Sequence, residues 1–356
     1  RPPRRGAVRI AVLHPQIPFM RGGAEAHTDA LVRALRESGH EAERVTIAGK
    51  WYPATELAHQ MAVWRSFDIA ESNGQLVDAA IALKFPAYLA THERKIVWLI
   101  HQHRPAYELW DHPEYADLSR REGGAAIRKL VWQGDRLGLG EAKRLFTNSR
   151  NVADRLQRSL GLAGEALYHR SPATDALLER EPEALGDYVV APSRFDPLKR
   201  QALAIEAMRH VETPVTLVLI GRGADESSLR RRIDRLGLRD RVRLEAGVSD
   251  ERLLELYGKA LGVFFGPYDE DYGYITIEGF AAARPVVTLT DSGGPLEFVR
   301  DGETGLIVEP KAREIARAFD RLWSDRGGAS SWGLAGQRLL RDTVPEWPEV
   351  VARLLA

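Results

Sequence analysis

The stretch FFGPYDEDYGYITIEGFAAARPVV, residues 264–287, contains the pattern that decides the fold. It begins as an apolar strand, passes through an acidic and aromatic loop at residues 269–272, turns at Gly273 and continues as a helix. A second apolar strand begins at Pro285. A strand, a helix and another strand in this order are typical of a parallel sheet covered by helices.

The same alternation extends over the rest of the chain. In the N-terminal part, the predicted strands are residues 8–14, 41–49, 95–101 and 144–149, and the predicted helices are 24–39 and 150–161. In the C-terminal part, the strands are 187–195, 215–221, 242–247, 261–267 and 285–290, and the helices are 200–211, 225–237, 249–260 and 275–283. Two such series predict an α/β protein with two doubly wound, Rossmann-like domains facing each other across a cleft.

The length of 356 residues also favours two domains over a single core. The segment 169–186, HRSPATDALLEREPEALG, contains prolines and polar residues and shows no strand pattern, so it is the expected linker. We therefore expect an N-terminal domain at residues 1–175 and a C-terminal domain at 176–340. An amphipathic helix is expected within residues 341–356.

Composition excludes several classes of function. The net charge is zero, which argues against a general nucleic-acid binder, and no apolar run is long enough to span a bilayer. The chain has no cysteine, so disulfides, thiolate metal sites and a cysteine nucleophile are excluded. The basic segment Arg1–Arg9 precedes a short apolar run that ends at Pro15, which indicates a first strand and not a secretory signal. These features favour a cytoplasmic protein.

The excess of basic residues lies in the N-terminal half and the excess of acidic residues in the C-terminal half. A basic N-terminal half favours an anionic acceptor or contact with the inner face of a membrane. An unevenly charged, solvated surface is an equal alternative. The segment 119–146 is basic and partly amphipathic, and it is either a cover for an acceptor, a contact with anionic lipid or a plain surface helix.

Two predicted strand ends carry groups suited to phosphate. Gly22 and Gly23 precede a helix and let backbone N–H groups approach an anion, although a tight structural turn explains them equally well. Arg194 and Lys199, in SRFDPLKR (193–200), combine a forked cation with a mobile one, which suits a diphosphate better than a surface pair at a helix start.

Two other strand ends are less specific. Gly221, Arg222 and Gly223 begin like a dinucleotide fingerprint, but Glu226 stands where its third glycine belongs, so only backbone contacts to a nucleotide remain open. His101 leaves a buried strand and has the chemistry to donate to a substrate oxygen. A buried structural histidine is the alternative, and His103 competes with it for the same role.

The opening stretch holds two glutamates, Glu270 in the loop and Glu278 in the helix. Eight-residue spacing alone is weak, but Gly273 permits a close backbone approach, and the N–H groups near Tyr274 begin a helix whose dipole favours an anion. Carboxylates accept hydrogen bonds from hydroxyl groups. An anion site flanked by two such groups suits a sugar on one side and a ribose on the other. An acidic surface loop is the alternative.

At this point the chain resembles the retaining glycosyltransferases of family 4, which have the GT-B fold, and the resemblance covers nearly the whole length. It rests on GGAEAHTDALVRALRESGHEAERVT (22–46), APSRFDPLKRQALAIEAM (191–208) and YDEDYGYITIEGFAAARPVVTLTDSGGPLEFVRDGETGLIVEP (268–310). The last segment is similar to the E-x7-E element of that family, with Glu270 and Glu278 at its ends. The tail around Trp347 resembles a C-terminal helix that packs back on the N-terminal domain.

The resemblance implies roles for individual residues. The implied catalytic residues are Glu270, His101, Arg194 and Lys199. The implied donor-binding residues are Gly22, Gly23, Arg194, Lys199, Gly221, Arg222, Val248, Glu270, Asp271, Tyr272, Gly273, Tyr274, Ile275 and Glu278. Among these, Glu270 and the backbone of 271–275 would hold the sugar, Glu278 the ribose, and Arg222 and Val248 the nucleobase. Asp271 departs from the family pattern, which has glycine there.

The implied reaction is transfer of a hexose, with retention and without a metal ion or a cofactor, from a nucleoside-diphosphate sugar of the UDP or GDP type. The acceptor would be a hydroxyl on a sugar, a lipid-linked molecule or a small molecule, in glycan, glycolipid or natural-product glycoside synthesis. A sugar-nucleotide epimerase of the same fold and a non-catalytic sugar-nucleotide-binding protein remain as alternatives.

Overall fold

The computed structural model describes residues 8–20 and 22–356, so most of the basic segment Arg1–Arg9 lies outside the described residues. The chain divides into two compact units. The first consists of Arg1–His169 together with Glu346–Ala356, and the second is Arg170–Pro345. The division falls at the start of the expected linker, and a short helix, Thr174–Leu178, forms within it.

The first unit is built around a parallel sheet of six strands. The strands of this unit are β1 (Arg9–Gln16), β2 (Glu41–Ala48), β3 (Glu71–Ser72), β4 (Gln75–Leu76), β5 (Ala79–Lys84), β6 (Lys95–His101), β7 (Arg144–Thr147) and β8 (Glu165–Ala166). Strands β3 and β4 form a separate small antiparallel hairpin, and the other strands form the sheet. The order across the sheet is β2-β1-β5-β6-β7-β8. The direction of winding therefore reverses between β1 and β5, and such a switch point is where doubly wound sheets bind ligands.

The sequence pattern missed β5. All six of its residues are buried, and it pairs with β1 on one side and β6 on the other. A strand covered on both faces has no alternation of polar and apolar residues, so its periodicity does not distinguish it from a buried helix. This strand brings Lys84 to the edge of the sheet at the switch point.

Helices cover this sheet. They are α1 (Gly23–Glu37), α2 (Thr55–Arg65), α3 (Gly124–Gly140), α4 (Arg150–Leu160) and the C-terminal helix, α12 (Trp347–Leu355). Helix α12 buries Val350, Val351 and Leu354 in the core of the first unit. Arg94 and Arg144 donate to the last carbonyls of α12, at 2.6 Å from Leu355 O and 2.9 Å from Arg353 O, where a cation also complements the helix dipole.

The second unit has its own six-stranded parallel sheet. The strands are β9 (Tyr188–Pro192), β10 (Thr216–Ile220), β11 (Val242–Glu245), β12 (Gly262–Phe264), β13 (Val286–Leu289) and β14 (Gly305–Val308). Their order is β11-β10-β9-β12-β13-β14, which is the Rossmann order with its switch point between β9 and β12. The loops that leave β9 and β12 therefore meet at one edge of this sheet.

The helices of the second unit are α5 (Thr174–Leu178), α6 (Gln201–Ala207), α7 (Glu226–Arg235), α8 (Asp250–Gly258), α9 (Tyr274–Ala281), α10 (Ala312–Ser324) and α11 (Arg326–Thr343). Helices α6, α7 and α10 contribute buried residues such as Ile205, Ile233 and Phe319 to one core with the inner strands. Among the described residues, no helix is long and apolar enough to cross a membrane.

Candidate functional site

The carboxyl edge of the second sheet collects most of the predicted donor residues. Arg194 and Lys199 follow β9, and Glu270 follows β12, its neighbour across the switch point. Helix α9, which begins at Tyr274 and carries Glu278, follows the same loop. Residues far apart in the sequence are therefore brought to one edge because the two strands are adjacent.

Lys199 and Glu270 form an ion pair between Lys199 Nζ and Glu270 Oε2. Their side chains are only 16% and 18% exposed. Lys199 Nζ also lies 5.8 Å from the centre of the Phe265 ring, which presents its face to the cation. The partial burial strengthens the attraction relative to a fully solvated pair.

A second ion pair joins the loop that carries Lys199 to the loop after β13, to which the backbone of Glu270 is hydrogen-bonded. Arg200 is in the left-handed conformation and forms two parallel hydrogen bonds with the carboxylate of Asp291, at 2.7 and 2.8 Å. The amide of Glu270 donates to Ser292 O at 2.8 Å, and Gly294 N donates to Glu270 O at 2.8 Å. The position of Glu270 is thus set by backbone bonds to the loop after β13 as well as by Lys199.

Gly273 allows helix α9 to begin beside this pair. It has a φ of 92°, and a Cβ there would lie 3.0 Å from the Phe265 ring and 3.1 Å from Pro295. The first-turn amides of α9 therefore start from a tight turn that favours glycine. Tyr272 and Tyr274 pack edge to face, with ring centres 5.8 Å apart. The backbone of Asp271 lies against Gly294, where a Cβ would be 2.8 Å from Asp271 O.

Glu278 is half-buried beneath this loop, and the Tyr257 hydroxyl donates to its Oε2 at 2.7 Å. Burial raises the pKa of Glu278, and hydrogen bonds from Tyr257 and Ser171 oppose that rise. The carboxyl group is therefore oriented by two hydroxyls that the sequence did not identify.

The predicted nucleobase residues lie on the neighbouring strand ends. Arg222 follows β10, and its guanidinium group packs against the backbone of Gly247. A Cβ atom on Gly247 would lie only 2.0 to 2.5 Å from the guanidinium atoms. Arg222 therefore lies directly beside the residue that precedes Val248. Gly221 is equally tight, because a Cβ there would lie 1.9 Å from Ser193 O. Arg194 is more exposed, at 46% for its side chain, and lies 4.0 Å from Asp196.

Gly22, Gly23 and His101 belong to the first unit. Gly22 caps α1 with an extended backbone and Gly23 is its first residue, at the carboxyl end of β1. The first turn of α1 also carries Glu25, whose carboxylate lies 3.3 Å from His14 Nε2 and 3.5 Å from Lys84 Nζ. Burial opposes ionisation of Glu25, but the hydrogen bond with His14 and the charge of Lys84 outweigh it and lower its pKa to about 2.

His101 is the last residue of β6, and His103 lies on the loop that follows. His101 Nδ1 is 2.6 Å from the carbonyl oxygen of Gln102, which fixes the orientation of its ring. His103 lies against Phe85 and Trp51, with ring centres 5.2 and 5.6 Å away. Burial lowers the pKa of His103 to about 3, so its imidazole is neutral at physiological pH.

A buried carboxyl group holds this loop. Asp135 of α3 accepts hydrogen bonds from Tyr88 and Tyr107, both at 2.7 Å, and from Gln102 Nε2 at 3.2 Å. Burial raises its pKa to about 6, although the three hydrogen bonds favour the ionised form. Asp135 therefore connects α3 to the segment that carries His101, Gln102 and His103, which we call the histidine loop.

The structure brings Lys199, Glu270 and the start of α9 together, with Glu278 on the same helix. It places Gly22, Gly23 and His101 on the first unit. Sequence reasoning missed the partners that orient these residues. These partners are His14, Glu25, Lys84, Asp135, Ser171, Arg200, Tyr257 and Asp291. Glu25, Arg200 and Asp291 lie in segments that the sequence analysis singled out, 22–27, 193–200 and 268–310, but nothing in the sequence indicated their partners.

Sequence comparisons relate the second unit to known glycosyltransferases. Residues 180–338 match the family model of glycosyl transferases group 1, so this segment carries a group 1 glycosyltransferase domain. The chain is 26% identical to a GDP-mannose-dependent alpha-(1-6)-phosphatidylinositol monomannoside mannosyltransferase of Mycolicibacterium smegmatis, over 95% of this chain and 94% of that protein.

Other relatives are matched over part of their length. An exopolysaccharide phosphotransferase of Streptomyces coelicolor is 30% identical over 56% of this chain, and a D-inositol 3-phosphate glycosyltransferase of Streptomyces bingchenggensis is 28% identical over 54% of it. These matches span 22% and 48% of the two relatives, so the chain covers about half of their length or less.

Solved structures agree on the fold. The Anabaena protein Alr3699/HepE, solved with UDP and glucose, has a TM-score of 0.69 and 15% identity over 98% of both chains. Sucrose-phosphate synthase from Thermosynechococcus elongatus has a TM-score of 0.73 and 17% identity over 97% of both. At these identities the likeness shows the fold alone, and it confirms the expected GT-B class with two Rossmann-like α/β domains.

Proposed function

We propose, from the group 1 glycosyltransferase domain at residues 180–338, that this protein transfers a sugar from a nucleoside-diphosphate sugar to a hydroxyl acceptor in glycan, glycolipid or related glycoside synthesis. The observation that carries the proposal is the Lys199–Glu270 pair at the switch point of the second sheet. A cation for the leaving diphosphate and a carboxylate for sugar hydroxyls lie there in direct contact.

In this proposal the leaving group is stabilised electrostatically. As the bond between the sugar and the diphosphate breaks, negative charge builds on the phosphate oxygens, and Lys199, Arg194 and the first amides of α9 supply compensating positive charge. Gly22 and Gly23 would add backbone donors at the start of α1. Glu270 would bind hydroxyls of the donor sugar and not act as the nucleophile.

We propose that transfer occurs with retention, by attack on the same face as the leaving phosphate. In this proposal Glu270 is the carboxylate that holds the sugar, and its pairing with Lys199 suits hydrogen bonding to hydroxyls better than formation of a covalent bond. His101 or His103 would contact the sugar. Proton NMR of the product formed from a donor of known anomeric configuration tests this, because an inverted product would exclude the mechanism.

Glu278 is proposed to bind the ribose of the donor, with Gly221, Arg222 and Val248 beside the base. Its carboxylate already receives hydrogen bonds from Tyr257 and Ser171, and its remaining lone pairs would accept from the ribose hydroxyls. Donors of the UDP and GDP type both fit this proposal. The Anabaena protein has been solved in complex with UDP-glucose, and the mycobacterial mannosyltransferase depends on GDP-mannose.

The proposed reaction uses no metal ion and no cofactor, because cationic side chains supply the charge that a divalent ion would otherwise provide. The decisive experiment incubates the protein with UDP-glucose or GDP-mannose, a panel of hydroxyl acceptors and either EDTA or Mg²⁺. Release of nucleoside diphosphate that depends on the acceptor, equal in both conditions, is expected. A requirement for Mg²⁺ would overturn the metal-independent part alone.

The same assay separates the rival functions. An epimerase would convert the sugar of the donor without any acceptor, and a binding protein would hold the donor without releasing nucleotide. Either result would replace the transferase proposal.

We also propose that α3 contacts an anionic membrane surface. Lys129 and Arg136 lie seven residues apart on its outward side, as do Leu130 and Leu137, which are 42% and 47% exposed. The acidic residue of this helix, Asp135, is buried and faces inward. An exposed apolar stripe beside a basic stripe suits the headgroup region of an anionic bilayer.

Sedimentation with vesicles tests this contact. Binding to phosphatidylglycerol vesicles and not to phosphatidylcholine vesicles is expected, with loss of binding in a Leu130→Ser, Leu137→Ser double variant. Leu334→Ser, at an exposed leucine of α11, is the matched control. Equal loss in both variants would exclude α3 as the contact.

A further inference from the structure

Three exposed side chains with large apolar surfaces lie on loops at the carboxyl edge of the first sheet. Phe19 is fully exposed and Met20 is 44% exposed on the loop after β1, and Tyr52 is 54% exposed on the loop after β2. Strands β1 and β2 are neighbours, and Gln16 pairs with Ala48 at their ends. These loops therefore leave the sheet side by side. We name the set Phe19, Met20, Trp51 and Tyr52 the aromatic edge; the buried Phe85 ring supports it from the core.

The turn that presents Phe19 is held in place. Gln16 Nε2 donates to Ile17 O at 2.9 Å and to Met20 O at 3.0 Å, and Met20 N donates to Ile17 O at 3.2 Å. Phe19 itself has a φ of 65°, which a bulky side chain rarely adopts. A strained backbone that projects a large apolar ring into solvent is unfavourable for the free protein, and such strain concentrates at ligand sites.

The neighbouring loop is fixed as well. A Cβ on Gly49 would lie 2.5 Å from the Cδ1 atom of Ile17, so the exit of β2 packs directly on the exit of β1. The Tyr52 hydroxyl donates to Asp117 at 3.2 Å, and the Arg121 guanidinium lies 3.7 Å from the centre of its ring. The exposed aromatic ring of Tyr52 is thus held by two partners.

The aromatic edge is continuous with the histidine loop. Trp51 lies beside Tyr52 in sequence, and its ring centre is 6.4 Å from that of Phe85 and 5.6 Å from that of His103. Phe85 follows β5, at the switch point of this sheet. A molecule lying along these rings would have its polar end near His101 and His103 and its apolar part near Phe19.

We infer that the aromatic edge binds the apolar part of an amphipathic acceptor, whose reactive hydroxyl lies near the histidine loop. This inference rests on the proposed glycosyl transfer and names the acceptor class as a hydroxyl compound carrying an alkyl or prenyl chain. Rigid exposed rings suit such a chain because they bury apolar surface with little loss of side-chain entropy. A fully water-soluble sugar would bury none of the exposed apolar surface of Phe19 and Met20.

The experiment compares matched ligands with the intact chain. Isothermal calorimetry measures binding of n-octyl and methyl β-D-glucopyranosides, and of the corresponding mannosides, below the micelle concentration and in the presence of UDP or GDP. We expect the octyl compounds to bind at least about tenfold tighter, a gain that burial of about two methylene groups suffices to produce. Equal affinity of octyl and methyl glycosides would overturn the inference.

Variants locate the effect. Phe19→Ser is expected to remove most of the octyl preference, and Phe19→Leu to retain it, because leucine restores an apolar side chain. Phe19→Asn keeps a residue that tolerates the left-handed conformation, so its loss of preference would reflect the missing ring and not the backbone. Leu76→Ser, at a leucine that is 75% exposed on the β3–β4 hairpin, is the matched control. Equal losses in Leu76→Ser and Phe19→Ser would contradict the inference.

Two further readouts separate this inference from other outcomes. If Phe19→Ser loses binding to vesicles but keeps the octyl preference, the aromatic edge is a membrane contact and the inference is wrong. Nucleoside-diphosphate binding and donor turnover are measured in the same samples. Absence of any sugar transfer with a retained octyl preference would refute the proposed function, whereas transfer without an octyl preference would refute only the acceptor class.

Discussion

Lys199 and Glu270 are 71 residues apart in the sequence, and their side chains form a direct ion pair at the switch point of the second sheet. The lysine follows β9 and the glutamate follows β12, so the pair exists because these strands are neighbours. In the proposed reaction each partner has a ligand group of its own, a phosphate for the ammonium and hydroxyls for the carboxylate. Donor binding would therefore replace the ion pair with two sets of ligand contacts.

Replacing Lys199 with alanine is expected to weaken binding of UDP or GDP by about tenfold or more and to lower turnover, because a charge-assisted hydrogen bond to phosphate is lost. Calorimetry with the nucleoside diphosphate measures the first effect. Lys259→Ala, at a lysine paired with Glu255 on the surface of α8, is the control. Unchanged affinity in Lys199→Ala would show that the phosphate lies elsewhere.

A double variant is needed to distinguish the loss of a phosphate contact in Lys199→Ala from the loss of the cation beside Glu270. Without Lys199, the carboxylate of Glu270 is left without its cation and repels a diphosphate by itself. The double variant Lys199→Ala, Glu270→Gln removes this repulsion. We expect affinity to remain low in the double variant, and full recovery would mean that Lys199 acts only by neutralising Glu270.

Replacing Glu270 with alanine is expected to lower sugar transfer by about a hundredfold or more while nucleoside-diphosphate affinity survives, because the carboxylate is proposed to contact the sugar and not the phosphate. Glu270→Gln keeps the shape and removes the charge, so it distinguishes charge from packing. Binding of UDP and UDP-glucose, measured side by side, checks the result. A parallel loss of UDP affinity would contradict the assignment.

The role of Glu278 is tested with a modified ribose. Glu278→Ala is expected to weaken UDP binding by about tenfold, since hydrogen bonds from two hydroxyls to a carboxylate are lost, and to leave the affinity for 2′,3′-dideoxy-UDP unchanged. Tyr257→Phe is expected to weaken UDP binding less, because the Glu278 carboxylate stays in place and loses only the hydrogen bond that orients it. Equal weakening of both nucleotides would place Glu278 away from the ribose.

Asp135 predicts a pH dependence of stability. Its pKa is about 6 when folded against an ordinary value of 3.8, so the folded state holds the proton more tightly than the unfolded state. The contribution of Asp135 to the free energy of unfolding is therefore highest below pH 3.8 and falls by about 3 kcal/mol as the pH rises through 6. Urea unfolding of the wild type and of Asp135→Asn between pH 4 and 7 measures this. Parallel curves would contradict the raised pKa.

Gly221 and Gly302 both have a positive φ, 153° and 70°, but only Gly221 is also sterically crowded, so the difference between them measures the steric clash. At Gly221 an alanine Cβ would meet Ser193 O at 1.9 Å, so Gly221→Ala is expected to destabilise the protein by about 2 kcal/mol or more by forcing β9 and β10 apart at their ends. At Gly302 the φ is 70°, but no atom lies within 4 Å of a Cβ, so Gly302→Ala is expected to cost only about 1 kcal/mol of backbone strain. Thermal unfolding compares them, and equal effects would exclude the steric account.

The amino-acid sequence was sufficient to predict the class of fold, and it supplied the candidate residues for binding the donor. Alternating patterns located β9 to β13 because each is a short apolar run bounded by turn residues, and the segment from Glu270 to Glu278 carried a recognisable motif. The same reasoning missed β5, because a strand buried on both faces has no periodic pattern. It also left undecided whether His101 or His103 contacts the donor.

The hydrogen-bond and ion-pair partners of the candidate site residues became known from the three-dimensional structure alone. The pairs Lys199–Glu270 and Arg200–Asp291, the hydrogen bond from Tyr257 to Glu278 and the three donors around Asp135 join residues that are distant along the chain. Sequence spacing carries no information on such contacts, because they depend on which strands are adjacent in the sheet and on which side chains are then buried together. Strand adjacency is set by the packing of the whole unit, and the electrostatics of the site follow from it.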